Sequence, residues 1–309
     1  MRVLVMGAGA LGGCYGAALA QHGHAVTFVA RGEHLSAMQA HGLEIRHGED
    51  RTLLKPVRAV ATPSEAGSAF DLVLFAVKGY DIDTAAAALL PVLEPDTAVL
   101  PLQNGVDSVD RLATLLGPEH VLAGVSYIRA GRPAPGVLEF VSHLRPTVIG
   151  EQSGHLTPRV EAIAAALGEA GIPVVISDDP RRAIWEKFVG MVALGTITSA
   201  CAAPIGPIRE TAEGQALLRN LLDEAVTVGQ AAGVTLTAAT VDQMLNIVAA
   251  MPPTNSTSLR DDFERRHRTE LDFLTGAMVR YGRNLGVATP AFAALYAVLK
   301  VRALSFGGL

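Results

Sequence analysis

Through its first half the chain alternates short apolar runs with stretches of helical length. The opening run Arg2-Val3-Leu4-Val5-Met6 leads into a glycine-containing turn, an alanine-rich helix over 11–23 and a second apolar run over 25–30. Further apolar runs over 72–77, 98–102 and 121–126 are separated by helical spacing near 83–93 and 107–116. Strand followed by helix in this rhythm predicts a parallel sheet. Runs over 137–141, 147–150 and 173–176, preceded by the turn-rich Gly131-Arg132-Pro133-Ala134-Pro135-Gly136, interrupt the rhythm and are expected to extend that sheet with at least one antiparallel pair.

After Ser177-Asp178-Asp179-Pro180 the pattern changes to helical spacing with no clear strand. Gly286 suits a helix C-terminal cap, and Thr289-Pro290 places a capping hydroxyl before a proline at a first helical position. The stretch 188–208 carries no charge, but its glycines, Pro204 and Pro207 make it a buried helix broken at one end rather than a membrane span. The expected architecture is α/β: a Rossmann-type, doubly wound, mostly parallel sheet over 1–178 and an all-helical domain over 179–309. No internal repeat or low-complexity linker separates them.

Composition narrows the function by exclusion. A net charge of −5 leaves no basic stripe for a nucleic-acid groove, and the mixed-sign stretch 260–268 reads as a solvated helix face. Cys14 and Cys201 match no metal-ligand spacing, so neither a structural metal nor a disulfide framework is expected and each reads as a small buried residue. The first residues enter a strand with no basic region or apolar signal core, which points to the cytoplasm.

The chemistry begins at Gly7-Ala8-Gly9-Ala10-Leu11-Gly12, set between the first strand and the first helix. Gly7 permits a tight turn, Gly9 lets the backbone approach a pyrophosphate, and Gly12 lets the helix pack closely on the strand, so a dinucleotide is expected at the helix N-terminus. In the NAD form of this fold an acidic residue at the end of the second strand accepts from the ribose 2′-hydroxyl, but here the run 25–30 ends in Arg31. A guanidinium matches a 2′-phosphate in charge and fork geometry, so NADP(H) is favoured. The competing reading makes Arg31 a solvated loop residue and gives the ribose to Glu33. Lys78 and Asn104 each follow the carboxyl end of a strand, where ligands bind in open parallel sheets.

These motifs, together with Val77-Lys78, Gln103-Asn104-Gly105, Trp185-Glu186-Lys187, Asn255-Ser256-Thr257-Ser258, Asp262 and Arg268-Thr269-Glu270-Leu271-Asp272, occur in an order that resembles the ketopantoate reductase (2-dehydropantoate 2-reductase) family from residue 7 to residue 272. The resemblance implies NADPH-dependent reduction of a 2-oxoacid, most directly ketopantoate to pantoate in pantothenate biosynthesis, with hydride transfer in the interdomain cleft. It implies Lys187 as general acid and Glu270 as the carboxylate that holds the lysine and the substrate hydroxyl. It further implies Ser258 on the substrate carboxylate, Lys78 near the cofactor, and Asn104 near both the nicotinamide and the substrate. Taken alone, the residues leave alternatives. Glu270 fits an exposed helix glutamate equally well, Ser258 a loop or cap residue, Asn104 a turn residue before Gly105, and Lys78 a strand-end charge.

The departures from the family bear on the substrate. Four and eight residues beyond the lysine, where the family usually carries asparagines on one helical stripe, this chain has Met191 and Gly195, and Ile205 stands before Gly206 where many members have a third. Met191 and Gly195 are expected to line the substrate side of the site and make it more apolar, which favours a reductase of a less polar 2-oxoacid as the second reading. A non-catalytic NADPH-sensing regulator is the reading from another class. The apolar helical domain also suggests a homodimer.

Overall fold

Strand β1 (Arg2–Met6) is buried along its last four residues, as a strand covered on both faces of a parallel sheet must be. It is followed by α1 (Ala10–Gln21), β2 (Ala25–Val29), α2 (Gly32–His41), β3 (Leu43–His47), β4 (Asp50–Leu54) and β5 (Arg58–Val60). Next come α3 (Pro63–Ala66), β6 (Leu72–Phe75), α4 (Ile82–Leu89), β7 (Ala98–Pro101), α5 (Ser108–Leu116) and β8 (Leu122–Val125). The strand-bearing part closes with β9 (Ile128–Ala134), β10 (Val137–His143), β11 (Thr147–Glu151), α6 (Pro158–Glu169) and β12 (Val174–Ile176). The helices that follow are α7 (Pro180–Cys201), α8 (Ile205–Glu210), α9 (Ala212–Ala231), α10 (Ala238–Ala250), α11 (Ser258–Glu264), α12 (Thr275–Leu285) and α13 (Pro290–Leu304).

This computed structural model describes residues 1–143 and 145–309. They form two units, Met1–Gln103 with Ser108–Pro180, and Asn104–Asp107 with Arg181–Leu309. The first is a Rossmann-type domain and the second is all-helical among the described residues.

In the first unit five parallel strands run in the order β5-β2-β1-β6-β7. The chain leaves β1 for β2 on one side and returns to β6 on the other, which opens a crevice at the carboxyl ends of β1 and β6. Strands β8, β11 and β12 make a separate three-stranded sheet, tied to β7 by one parallel bridge from Val99 to Val121.

The run at 137–141 does not extend the parallel sheet. As β10 it joins a second sheet, β4-β3-β10-β9, antiparallel to β9 and parallel to β3. The stretch 131–134, read from its glycine and proline as turn, belongs to β9, because β9 is an edge strand and an edge tolerates a proline that donates no ladder bond. Only Pro135 and Gly136 make the turn.

Two further expectations need revision, those for Cys201 and for the stretch 260–268. The uncharged stretch 188–208 is broken toward one end as expected: α7 ends at Cys201, Ala202 takes a φ of 49° and Pro204 precedes α8. No helix among the described residues is long and apolar enough to cross a membrane. Cys201 is exposed at the end of α7, while Cys14 is buried on α1 with burial pushing its thiol up to about 12. The charged stretch 260–268 is no continuous solvated face: α11 ends at Glu264, Arg266 takes a φ of 53°, and the Arg260 side chain is only 14% exposed and paired with Glu264.

Helix punctuation is partly as expected. Gly286 closes α12 in the left-handed conformation. Pro290 opens α13, but the Thr289 hydroxyl makes no capping bond. Glu224 of α9 takes that role, accepting from the amides of Ala291 and Phe292 at 2.8 and 3.1 Å with its two oxygens.

Candidate active site

The glycine turn is closed where it backs onto the sheet and open where it faces away. Gly7 has a φ of +101°, and a Cβ there would meet the Val77 amide nitrogen at 2.9 Å, so the exits of β1 and β6 press together. A Cβ at Gly12 would collide with the Gly7 carbonyl oxygen, which explains why α1 needs glycine to lie against the turn. At Gly9 a Cβ would meet nothing within 4 Å. Gly9 is also the N-cap of α1 and provides no side-chain acceptor for the first amides of the helix, Ala10 and Leu11 among them. A turn shaped in this way, with free helix amides at its mouth, fits the pyrophosphate of a dinucleotide.

Around this turn, Arg31 directly precedes α2, its side chain 65% exposed and 3.8 Å from Asp81. Glu33 is exposed in the first turn of α2. Exposed Lys78 follows β6 and precedes the short 3-10 turn Gly79–Asp81. Gln103 donates through Nε2 to the Val77 carbonyl at 2.9 Å, and its buried Oε1 has no partner among the described residues, leaving an acceptor for a ligand amide. Ala8, between the two glycines, is 3% exposed.

In the helical unit Lys187 lies two turns into α7, where its Nζ donates to Asn104 Oδ1 at 2.8 Å. Burial pulls the lysine down to about 8, against the opposing attraction of Glu270. Glu270 is 6% exposed and lies in the segment between α11 and α12 rather than on a helix. The structure therefore brings together Lys187, Asn104 and Glu270.

Two residues that the sequence did not reveal hold this group in place. The Phe273 ring covers Gly105, where a Cβ would stand 2.6 Å from it. Arg280 of α12 donates to the Asp272 carbonyl at 2.7 Å and to Asp107 Oδ2 at 3.2 Å, joining the Asn104 loop to the Glu270 segment. Burial would raise the Asp272 carboxyl, but hydrogen bonds from Lys300 and Tyr296 hold it below the ordinary range. Just before Glu270, the Thr269 amide and hydroxyl both donate to the Gly308 carbonyl, at 2.8 and 2.9 Å, and Arg268 Nε donates to the Leu309 oxygen at 3.1 Å.

Met191 and Gly195 follow Lys187 at one-turn and two-turn spacing on α7. Met191 is partly buried and Gly195 fully so, and the atom nearest to a Cβ on Gly195 would be Leu259 Cδ2 at 3.6 Å. The stripe therefore leads to the start of α11. There Ser258 is exposed, and the capping role belongs to Thr257, which accepts from the Arg260 amide and lies 3.0 Å from the Thr198 hydroxyl. Ile205 is buried and donates its amide to the Asn255 carbonyl. A cavity of about 280 Å³ in the first unit, lined by Cys14, Tyr15, His47, Phe140 and His143 among others, includes none of the expected site residues.

Known proteins share this arrangement of domains. Residues 3–154 match the family described as ketopantoate reductase PanE/ApbA, and residues 179–303 match its C-terminal domain. The 2-dehydropantoate 2-reductase of Halobacterium salinarum is 33% identical over 296 residues, 96% of each chain. The crystal structure of a PanE/ApbA family ketopantoate reductase from Ralstonia eutropha superimposes with a TM-score of 0.90 at 34% identity, covering 99% of this chain and 100% of that one. D-mandelate dehydrogenase, solved with NADH and anilino(oxo)acetate, gives a TM-score of 0.89 over 99% of this chain and 100% of that one, and at 21% identity the likeness is one of fold.

Proposed function

Because the chain belongs to the ketopantoate reductase PanE/ApbA family, we propose that it reduces the keto group of a 2-oxoacid with NADPH, ketopantoate in pantothenate biosynthesis being the first substrate to test. The observation that carries this reading is the group formed by half-buried Lys187 and Asn104 with buried Glu270. Bound NADPH supplies the hydride equivalent for the keto carbon. Negative charge then grows on the keto oxygen, and Lys187 Nζ hydrogen-bonds that oxygen and passes it a proton. The resulting neutral amine is reprotonated from solvent. Asn104 Oδ1 accepts one Nζ hydrogen and so orients the others. The Glu270 carboxylate favours the charged lysine and offers an acceptor to the substrate hydroxyl. Ser258, exposed at the start of α11, is proposed as a donor to the substrate carboxylate.

Gly7 to Gly12, Lys78 and Arg31 are proposed to hold the dinucleotide. D-mandelate dehydrogenase, with the same fold, was solved with NADH, so the fold does not dictate the 2′-phosphate and the choice rests on local residues. Arg31, exposed and without an acid in its place, favours NADPH. Arg31→Asp is expected to reduce the preference for NADPH over NADH by about one to two decades, the worth of one charge-assisted pair to phosphate. Titration of nicotinamide fluorescence in both proteins measures it. Equal affinity for both cofactors in the native protein would remove Arg31 from this role.

The reading as a whole is tested by a panel of 2-oxoacids with NADPH, followed by loss of nicotinamide absorbance. Tight NADPH binding with no turnover of any member would favour a regulator instead.

Met191 and Gly195 on the Lys187 stripe favour a second reading, a preference for less polar 2-oxoacids. With apolar atoms where amides would stand, the ratio of kcat/KM for ketopantoate over 2-ketoisovalerate is expected to be about tenfold or less. A ratio of several thousand would show that other residues grip the distal hydroxyl.

A further inference from the structure

His34, near the start of α2, is 5% exposed, and its ring lies between two backbone groups with opposite requirements. The Gly136 amide, in the turn between β9 and β10, donates to Nδ1 at 2.9 Å, so Nδ1 carries the lone pair. Nε2 lies 2.8 Å from the Ala8 carbonyl oxygen and must carry the hydrogen, because two acceptors do not bond. The neighbours thus select a single tautomer. Burial lowers the pKa of His34 from its ordinary value, which keeps the ring neutral.

This contact fixes a peptide plane inside the glycine turn. The Ala8 amide is already engaged, donating to the Val29 carbonyl at the end of β2 at 3.0 Å. In a trans peptide the carbonyl of one residue and the N–H of the next point in opposite directions. With the Ala8 carbonyl turned inward to His34, the Gly9 N–H is turned to the opposite side. Gly9 is also where the turn is open, with nothing within 4 Å of the place a Cβ would take.

We propose that His34 is a positioning residue for anion binding: by holding the Ala8 carbonyl it aims the Gly9 amide at the pyrophosphate of the dinucleotide. The proposal rests on the dinucleotide reading of the turn.

Two substitutions separate the two halves of the ring. His34→Gln keeps a donor near the Nε2 position, toward Ala8, and His34→Asn keeps an acceptor near the Nδ1 position, toward Gly136. NADPH affinity of His34→Gln is expected within about threefold of native, and that of His34→Asn weaker by about tenfold or more, the loss of one oriented hydrogen bond. A role confined to stability would lower both melting temperatures without separating the affinities. In ¹⁵N-labelled protein, inorganic pyrophosphate is expected to move the Gly9 amide resonance in the native and Gln forms and not in the Asn form.

Equal affinity in all three proteins, or weaker binding by the Gln form than the Asn form, overturns the proposal. Should neither variant fold, the native protein decides. An Nδ1-protonated His34, or a Gly9 resonance unmoved by pyrophosphate, also overturns it. Failure of the native protein to bind either NADPH or NADH would instead sink the dinucleotide reading, so the two failures are distinguishable.

Discussion

Lys187→Ala is expected to lower kcat for 2-oxoacid reduction by roughly 10²–10⁴, the range for losing a positioned general acid, with the Kd for NADPH within about threefold of native. The split follows from location. Lys187 is on α7 and bonded to Asn104, whereas the glycine turn proposed to hold the dinucleotide is built from β1 and α1. Removing the ammonium leaves Glu270 buried without its cation, so a lowered melting temperature accompanies the lost rate. Stopped-flow turnover and fluorescence titration on the same preparation measure the two quantities. An alanine variant with native turnover removes Lys187 from the chemistry, and one that cannot bind NADPH reassigns it to structure.

The rate of reduction is expected to fall on the alkaline side of about pH 8, where burial has pulled the lysine. The sign follows from which form is active. Reduction consumes the proton on Lys187, so kcat/KM is level below that pKa and falls tenfold per pH unit above it, to about a hundredth at pH 10. Oxidation of the 2-hydroxyacid needs the neutral amine and has the opposite slope. A pH-rate profile in both directions checks this. Reduction that remains level through pH 10 would place the proton donor elsewhere.

What the sequence revealed follows from how each element is buried. Strands β1, β6 and β7 are covered on both faces and read as unbroken apolar runs, which made the parallel sheet and its carboxyl-end positions Lys78 and Asn104 legible. The hairpin of β3 and β4 was missed because exposed Asp50, Arg51 and Thr52 give it no apolar signature. β9 was hidden by its own Gly131 and Pro133, which an edge position tolerates. In the helical unit the spacing of residues was enough for fold class, and the resemblance to a family pointed to Lys187 and Glu270. Neither reached Arg280 or Phe273, since a contact between α12 and a loop about 170 residues earlier leaves no periodic trace. His34 was missed for a similar reason, a single buried imidazole on an otherwise ordinary helix.

The carbonyl of Gly308 and the oxygen of Leu309 are the acceptors that hold Thr269 and Arg268, the two residues before Glu270. Gly308 and Leu309, far along the chain from the reacting groups, are therefore part of the framework of the carboxylate. A change that displaces Gly308 or Leu309 acts on the backbone next to Glu270 even though it touches no reacting group.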